Sequence, residues 1–161
     1  MRGRQMHLFK WSSALRTGIA VIDEQHRELI ARVNRFLKRC VQDGCPREEL
    51  AKTFGYLRGY SIVHFTLEEE LMAEYGFPGA EAHRNAHVEF RDWVERTAPD
   101  LARRPLNVDD VLKLNYTLVD HLEQHFRVVD RKLTDYLKSV ARQRPDAKLL
   151  ELIKGVLGRD A

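Results

Sequence analysis

Apolar residues recur at three- and four-residue spacing through the first half of the chain, which is the pattern of amphipathic helices. Asp23 is a good N-cap for the first helix, and Gly44 and Pro46 end it. A second helix is predicted over residues 47–75, before Gly76 and the tight turn that it begins. We therefore expect two long helices joined by a short connection, each with one apolar face.

The same spacing continues in the second half of the chain. It predicts a third helix over about residues 80–97 and a fourth over about residues 108–139. Pro99 and Pro105 bracket the loop between them. Four amphipathic helices with short connections argue for an all-α fold, an up-down-up-down four-helix bundle.

The two ends of the chain lie outside these four helices. Residues 1–22 have no helical period and are expected to form an extended arm that packs its apolar residues along the bundle, which itself occupies residues 23–140. Residues 141–161 form a C-terminal amphipathic extension, in which a short fifth helix packed on the bundle is favoured. A docking or dimerisation helix is the alternative. Its apolar stripe consists of Leu149, Leu150, Ile153, Val156 and Leu157.

Polar side chains interrupt the inward-facing seam of each predicted helix. They are His26 in the first helix, His64 and Glu68 in the second, His83 and His87 in the third, and His125 and Asp130 in the fourth. Residues four apart share one face of a helix, and helices of alternating direction bring early positions of one against late positions of the next. The sequence therefore predicts five histidines and two carboxylates in one layer of the bundle.

This set of side chains predicts a metal site. A structural zinc ion takes about four ligands, whereas seven ligands fit two metal ions that share bridging carboxylates. Imidazole and carboxylate together suit iron, zinc, copper or manganese. The chain has neither the Glu-x-x-His pairs of ferritin-like di-iron proteins nor the HExxH motif of zinc proteases.

Asp130 fits an ideal helix poorly, because it follows His125 by five residues. That spacing separates the two side chains by about 140° around the helix axis. A single π-type turn, or a sideways reach of the carboxylate, would bring them together.

Composition excludes several kinds of partner. The net charge is +3, and no basic stripe with interleaved aromatic residues points to nucleic acid. No apolar run approaches the roughly 18 residues of a membrane span, so membrane insertion is not expected. The N-terminal residues are basic without the apolar run of a signal peptide, so the expected location is the cytoplasm.

Two cysteines, Cys40 and Cys45, lie at the end of the first helix. Two reduced thiols are expected there. A disulfide or a metal site is the alternative, although the chain has no CxxC partner set.

Taken together, four segments resemble the hemerythrin family, in its bacterial branch. They are TGIAVIDEQH ending at His26, HFTLEEELM from His64, HRNAHVEF from His83 and HFRVVD from His125. The resemblance covers residues 11 to about 137. It implies the bundle and a non-heme di-iron centre with an oxo or hydroxo bridge and O2 as ligand. His83, His87 and His125 would bind one iron, His26 and His64 the other, and Glu68 and Asp130 would bridge the two.

The resemblance also implies a dry, apolar pocket for O2 beside the iron that has fewer histidines. The family's pocket positions correspond to Leu29, Phe65 and Phe126. These residues can equally be ordinary core, and both interpretations can hold at once.

His121 departs from the family, which usually has tryptophan four residues before the histidine of the fourth helix. A half-buried histidine bonded to a neighbour is the favoured interpretation. The second is a proton donor or polar gate in the O2 pocket, and the third is an additional iron ligand.

Three classes of function follow. The leading one is a protein that reversibly binds O2, for carriage, storage or delivery, and is not an enzyme. The second is an O2 or redox sensor that acts through a partner. The third is a di-iron peroxidase or oxidase, which only His121 favours.

Overall fold

The computed structural model describes residues 8–154, and within that range the chain is helical with no β-strand. After a short 3₁₀ turn at Ser13–Leu15, the chain forms six α-helices and one π-helical segment. They are α1 (Ala20–Asp43), α2 (Arg47–Tyr75), α3 (Ala80–Ala102), α4 (Val108–Gln124), the π segment (His125–Asp130), α5 (Arg131–Gln143) and α6 (Ala147–Lys154). The predicted all-α helical bundle is confirmed.

Helices α2 and α3 run antiparallel. The side-chain hydrogen bonds between them show this, because a later residue of α2 pairs with an earlier residue of α3. Arg58 of α2 bonds Glu95 of α3, whereas the later Glu69 bonds the earlier His87. The full up-down-up-down order stays a prediction.

Two apolar clusters fill the bundle, and the predicted ligand layer lies between them. The larger cluster includes Phe9, Cys45 and Phe54, and the smaller one includes Ile22, Met72 and Leu137. Burial of such side chains stabilises the fold by roughly 1.5–3 kcal/mol each. The polar layer is therefore held from both sides by apolar packing.

The predicted ends of α2 are confirmed, and so are the breaks that glycine makes. Gly44 and Gly76 follow α1 and α2 with φ of 73° and 66°, the left-handed region that favours glycine. The predicted N-cap at Asp23 is wrong, because α1 begins at Ala20. Asp23 is instead buried inside the first turns, where it accepts hydrogen bonds from the backbone N–H and hydroxyl of Thr17 at 2.7 and 2.8 Å.

The predicted end of the third helix is also wrong. Helix α3 continues through Pro99 to Ala102, so Pro99 lies inside a helix and not in a loop. The start of the fourth helix at Val108 is confirmed, with Asn107 and Asp110 forming a reciprocal capping box.

The helix that follows Asn107 is not uniform. It runs as α4, changes to the π segment at His125–Asp130 and continues as α5. Hydrogen bonds from i to i+5 place residues five apart one turn apart. The π-type turn, one of the two geometries considered for Asp130, is therefore the one that the chain adopts.

The described part of the N-terminal arm packs on the bundle, as expected. The side chain of Asn34 clamps Phe9, accepting from its backbone N–H at 2.9 Å and donating to its carbonyl at 2.7 Å. Phe9 is 3% exposed and its ring lies 5.9 Å from that of Phe126. Division of the chain into 1–22, 23–140 and 141–161 stays a prediction.

Helix α6 packs against α1 and α5. Leu149 is fully buried in the smaller apolar cluster, and Asp146 at the start of α6 accepts a hydrogen bond from the Tyr75 hydroxyl at 3.1 Å. Val156 and Leu157, which complete the predicted stripe, lie outside the described residues. This packing agrees with the favoured interpretation of a fifth helix on the bundle.

The expectation of two reduced thiols is wrong, since a disulfide joins Cys40 and Cys45 across the turn between α1 and α2. Among the described helices, none is both long enough and apolar enough to cross a membrane.

Replacing Leu149 with alanine tests the packing of α6. We expect the change to lower the free energy of unfolding by about 2 kcal/mol, because it leaves a cavity in a filled cluster. Chemical denaturation measures this, and Glu151→Ala, at an exposed position of the same helix, is the control. If Leu149→Ala unfolds at the control's denaturant concentration and only changes the oligomeric state, α6 is a docking helix.

Candidate metal centre

The seven predicted ligand side chains converge in one buried layer. They come from the start of α1, the second half of α2, the start of α3 and the π segment. None of the seven is more than 6% exposed. Each lies on the inward seam of its helix, so the hydrophobic pattern that buries the seam buries these polar groups with it.

Asp130 divides its two oxygens between two sets of histidines. Its Oδ1 lies 3.0 Å from His125 Nε2 and 3.3 Å from His83 Nε2. Its Oδ2 lies 3.0 Å from His26 Nε2 and 3.6 Å from His64 Nε2. The carboxylate therefore stands between a group of three histidines and a group of two.

Glu68 makes the same division from the opposite helix. Its Oε2 lies 3.1 Å from Nε2 of both His83 and His87, and its Oε1 lies 3.6 Å from His64 Nε2. The arrangement has two metal-sized donor groups, one of Glu68, His83, His87, His125 and Asp130 and the other of His26, His64 and Asp130.

Several of these atoms lack hydrogen bonds although they are buried. Among the described residues, Glu68 Oε1, both oxygens of Asp130 and His125 Nε2 have no hydrogen-bond partner. The Nε2 atoms of His26 and His64 approach to 3.3 Å. Buried polar atoms are normally hydrogen-bonded. Unpartnered oxygen and nitrogen atoms that lie close together are therefore the arrangement expected of ligands around metal cations. Imidazole and carboxylate are ligands that iron accepts.

Without metal, the carboxylates and imidazoles compensate one another. Burial and the charge of Asp130 raise the pKa of Glu68, but His64, His83 and His87 outweigh them and lower it to about 2. Burial lowers the pKa of His83, but the adjacent carboxylates of Asp130 and Glu68 outweigh it and raise the pKa to about 9. The metal-free site therefore holds anionic carboxylates against at least one protonated imidazole at neutral pH.

Two of the predicted pocket residues lie against histidines, one in each group. The ring of Phe126 stacks on His26 at 3.7 Å and that of Phe65 on His87 at 3.8 Å. Leu29 is fully buried. The two phenylalanine rings therefore set apolar surface against the polar layer.

His121 is half-buried beside two aromatic rings. Its ring lies 5.5 Å from Phe90 and 6.0 Å from Trp93. Burial, with a smaller contribution from His125, lowers the pKa of His121, so the imidazole is neutral at physiological pH. The residue is not part of either donor group.

Sequence reasoning missed two residues that bond the outer nitrogens of the histidines. Gln25 Oε1 lies 2.7 Å from His64 Nδ1, and Glu69 Oε1 lies 2.8 Å from His87 Nδ1. Gln25 precedes His26 and Glu69 follows Glu68 in the sequence. Only adjacency to a predicted ligand could have marked them, because nothing in the helical period says which histidine each one meets.

Tyr60 was also missed. It lies one turn before His64 and its ring stacks on that imidazole at 4.8 Å. Its hydroxyl is buried without a hydrogen-bond partner among the described residues. Burial, with the charges of Asp130 and Glu68, raises the pKa of Tyr60, so the phenol remains protonated beside the site.

The helical bundle and its buried cluster of histidines and carboxylates define a metal-binding helical protein. Comparison with known proteins gives the family. Residues 17–137 match the model of the hemerythrin HHE cation-binding domain. The chain belongs to the hemerythrin family.

Curated relatives agree with this assignment. The chain is 32% identical over 138 residues to a bacteriohemerythrin of Stenotrophomonas maltophilia, covering 86% of this chain and 87% of that protein. It is 29% identical over 145 residues to one of Ralstonia nicotianae, covering 89% and 96%. A bacteriohemerythrin of Pseudomonas paraeruginosa is 35% identical over 80 residues, about half of each chain. No solved structure matches the chain.

Metal binding to the metal-free protein is expected to release protons. Metals bind neutral imidazole, and with a pKa of about 9 His83 is protonated at neutral pH. Affinity for Co²⁺ should therefore rise between pH 7 and pH 9. Calorimetric titration in buffers of different ionisation enthalpy measures the protons released. Equal heats in all buffers at pH 7 would contradict the prediction.

Proposed function

We propose that this protein is a non-heme di-iron protein that binds O2 reversibly, for its carriage, storage or delivery. The observation that carries the proposal is the division of Asp130 and Glu68 between two groups of histidines. A single metal ion needs no carboxylate with its oxygens directed to two sites. Membership of the hemerythrin family supports iron as the metal.

The residues would divide as the two donor groups do. His83, His87 and His125 would hold one iron, and His26 and His64 the other. Glu68 and Asp130, with an oxo or hydroxo group, would lie between them. Two imidazoles and shared bridges leave the second position with fewer protein ligands than the first, which suits it to a small external ligand.

The chain's own part in O2 binding is to orient donors and to exclude water. Two irons held there would supply the electrons that reversible binding of O2 requires. Phe126 shields the two-histidine group through its stack on His26, and Phe65 shields the three-histidine group through His87. An apolar wall slows displacement of O2 by water or anions. This favours reversible binding over turnover, so we infer that the protein is not primarily an enzyme.

An optical titration tests the proposal. The iron-loaded, reduced protein should contain two irons per chain. A visible absorption band should appear when O2 is added anaerobically and disappear when O2 is removed. Irreversible oxidation on the first exposure to air would overturn reversible binding and favour a sensor or a peroxidase. Iron content of one per chain would overturn the di-iron assignment.

His121 is the residue that favours the alternative functions, because a polar imidazole one turn from His125 replaces an apolar ring. We expect His121→Trp to slow autoxidation, measured as loss of reversible O2 binding with time in air, because the indole removes a proton donor near the site. Tyr116→Trp, at an exposed position of the same helix, is the control. Equal rates in wild type and His121→Trp would exclude this role.

Location and protein partners stay predictions. A cytoplasmic location is expected from the sequence. Reducing compartments such as the cytoplasm, however, normally keep cysteine pairs such as Cys40 and Cys45 as free thiols and not as a disulfide. Self-association or a protein partner at the C-terminal helix likewise stays a prediction, and we propose neither nucleic acid nor a membrane as a partner.

A further inference from the structure

The two groups of histidines differ in the side chains that accept hydrogen bonds from their outer ring nitrogens, Nδ1. When a histidine binds metal through Nε2, its Nδ1 carries the proton and donates a hydrogen bond. His87, in the three-histidine group, lies 2.8 Å from a carboxylate oxygen of Glu69. His64, in the two-histidine group, lies 2.7 Å from the amide oxygen of Gln25. One acceptor is charged and the other is neutral.

Two of the other outer nitrogens have no such acceptor. Among the described residues, Nδ1 of His26 and Nδ1 of His83 are buried without a hydrogen-bond partner. Gln25 and Glu69 therefore each accept from one outer nitrogen, that of His64 in one group and that of His87 in the other.

Arg91 fixes the carboxylate of Glu69. Its Nη2 lies 3.7 Å from Glu69 Oε1 and donates to the backbone carbonyl of Ser61 at 3.4 Å. Its guanidinium also lies 5.2 Å from the ring of Phe65, which stacks on His87. Arg91 therefore restrains both the acceptor of His87 and the ring that packs on His87.

We propose that Glu69 and Gln25 are positioning residues that make the two metal positions unequal. A carboxylate that accepts the Nδ1 proton makes the imidazole a stronger donor than an amide does. Metal is accordingly held more tightly by His83, His87 and His125 than by His26 and His64. The two-histidine position, with its weaker donors, is the one left able to exchange a ligand. This inference rests on the proposed di-metal site.

Exchanging the two acceptors tests the proposal. Glu69→Gln keeps a hydrogen-bond acceptor and removes its charge, and Gln25→Glu adds the charge at the other position. The metal-free proteins are titrated with Co²⁺ against a competing chelator, and visible absorption follows the two binding steps. We expect Glu69→Gln to weaken the tighter step by at least about 10-fold, the lower end of the effect of such partners on metal affinity, and to leave the weaker step unchanged.

Gln25→Glu gives the opposite result and separates positioning from simple structural support. We expect it to tighten the weaker step by about 10-fold, so that the gap between the two steps narrows. A residue that merely stabilises the fold cannot yield a gain at one position. Gln25→Glu also stays informative if Glu69→Gln fails to fold.

Glu70→Gln is the matched control, because it makes the same chemical change at the next residue of α2, which is exposed. It should leave both steps as in wild type. Equal weakening of both steps by Glu69→Gln, or any weakening by Gln25→Glu, would overturn the inference. Binding of fewer than two Co²⁺ ions by the wild type would instead overturn the proposed di-metal site, so the two failures are distinct.

Discussion

Mutual compensation within one buried polar layer is the interaction on which the rest of this structure depends. Five imidazoles and two carboxylates lie within the bundle, none more than 6% exposed. Removing such groups from water costs several kcal/mol each unless they are paired or bound to metal. The carboxylates of Asp130 and Glu68 lie between the two groups of histidines, so that each is close to several imidazoles. The apolar clusters on either side close the layer and hold the helices at the required separation.

The surrounding elements serve that layer. The π segment brings Asp130 onto the same face as His125, and the arm carries Phe9 against Phe126, which covers His26. The α6 helix closes the smaller apolar cluster at Leu149.

The hydrogen bonds that Gln25 and Glu69 accept from His64 and His87 add a second level of organisation. Each orients one histidine through Nδ1, and together they allow a centre made of similar ligands to have two chemically different positions. Arg91 joins this level to the apolar wall, because it contacts both Glu69 and the ring of Phe65. The proposed reversible binding of O2 would benefit from such inequality, since one metal would stay anchored while the other exchanged its ligand.

Most of the fold could be predicted from the sequence, because helical period, glycine stops and seam histidines are local patterns. The bounds of α2 and the convergence of the seven polar residues follow from them. The start of α1 could not be predicted, because Asp23 bonds Thr17 within a folded turn and not as an N-cap. Pro99 was placed in a loop, yet α3 continues through it to Ala102.

By itself the sequence determined which residue types face inward and at which level of each helix. Only the tertiary structure decided how they pair. Whether Asp130 reached its place by a π turn, which oxygen of Glu68 meets which imidazole, and that Glu69 meets His87 all depend on contacts between helices. A helical period states the face on which a side chain lies, but the partner across the interface is set by how neighbouring helices pack.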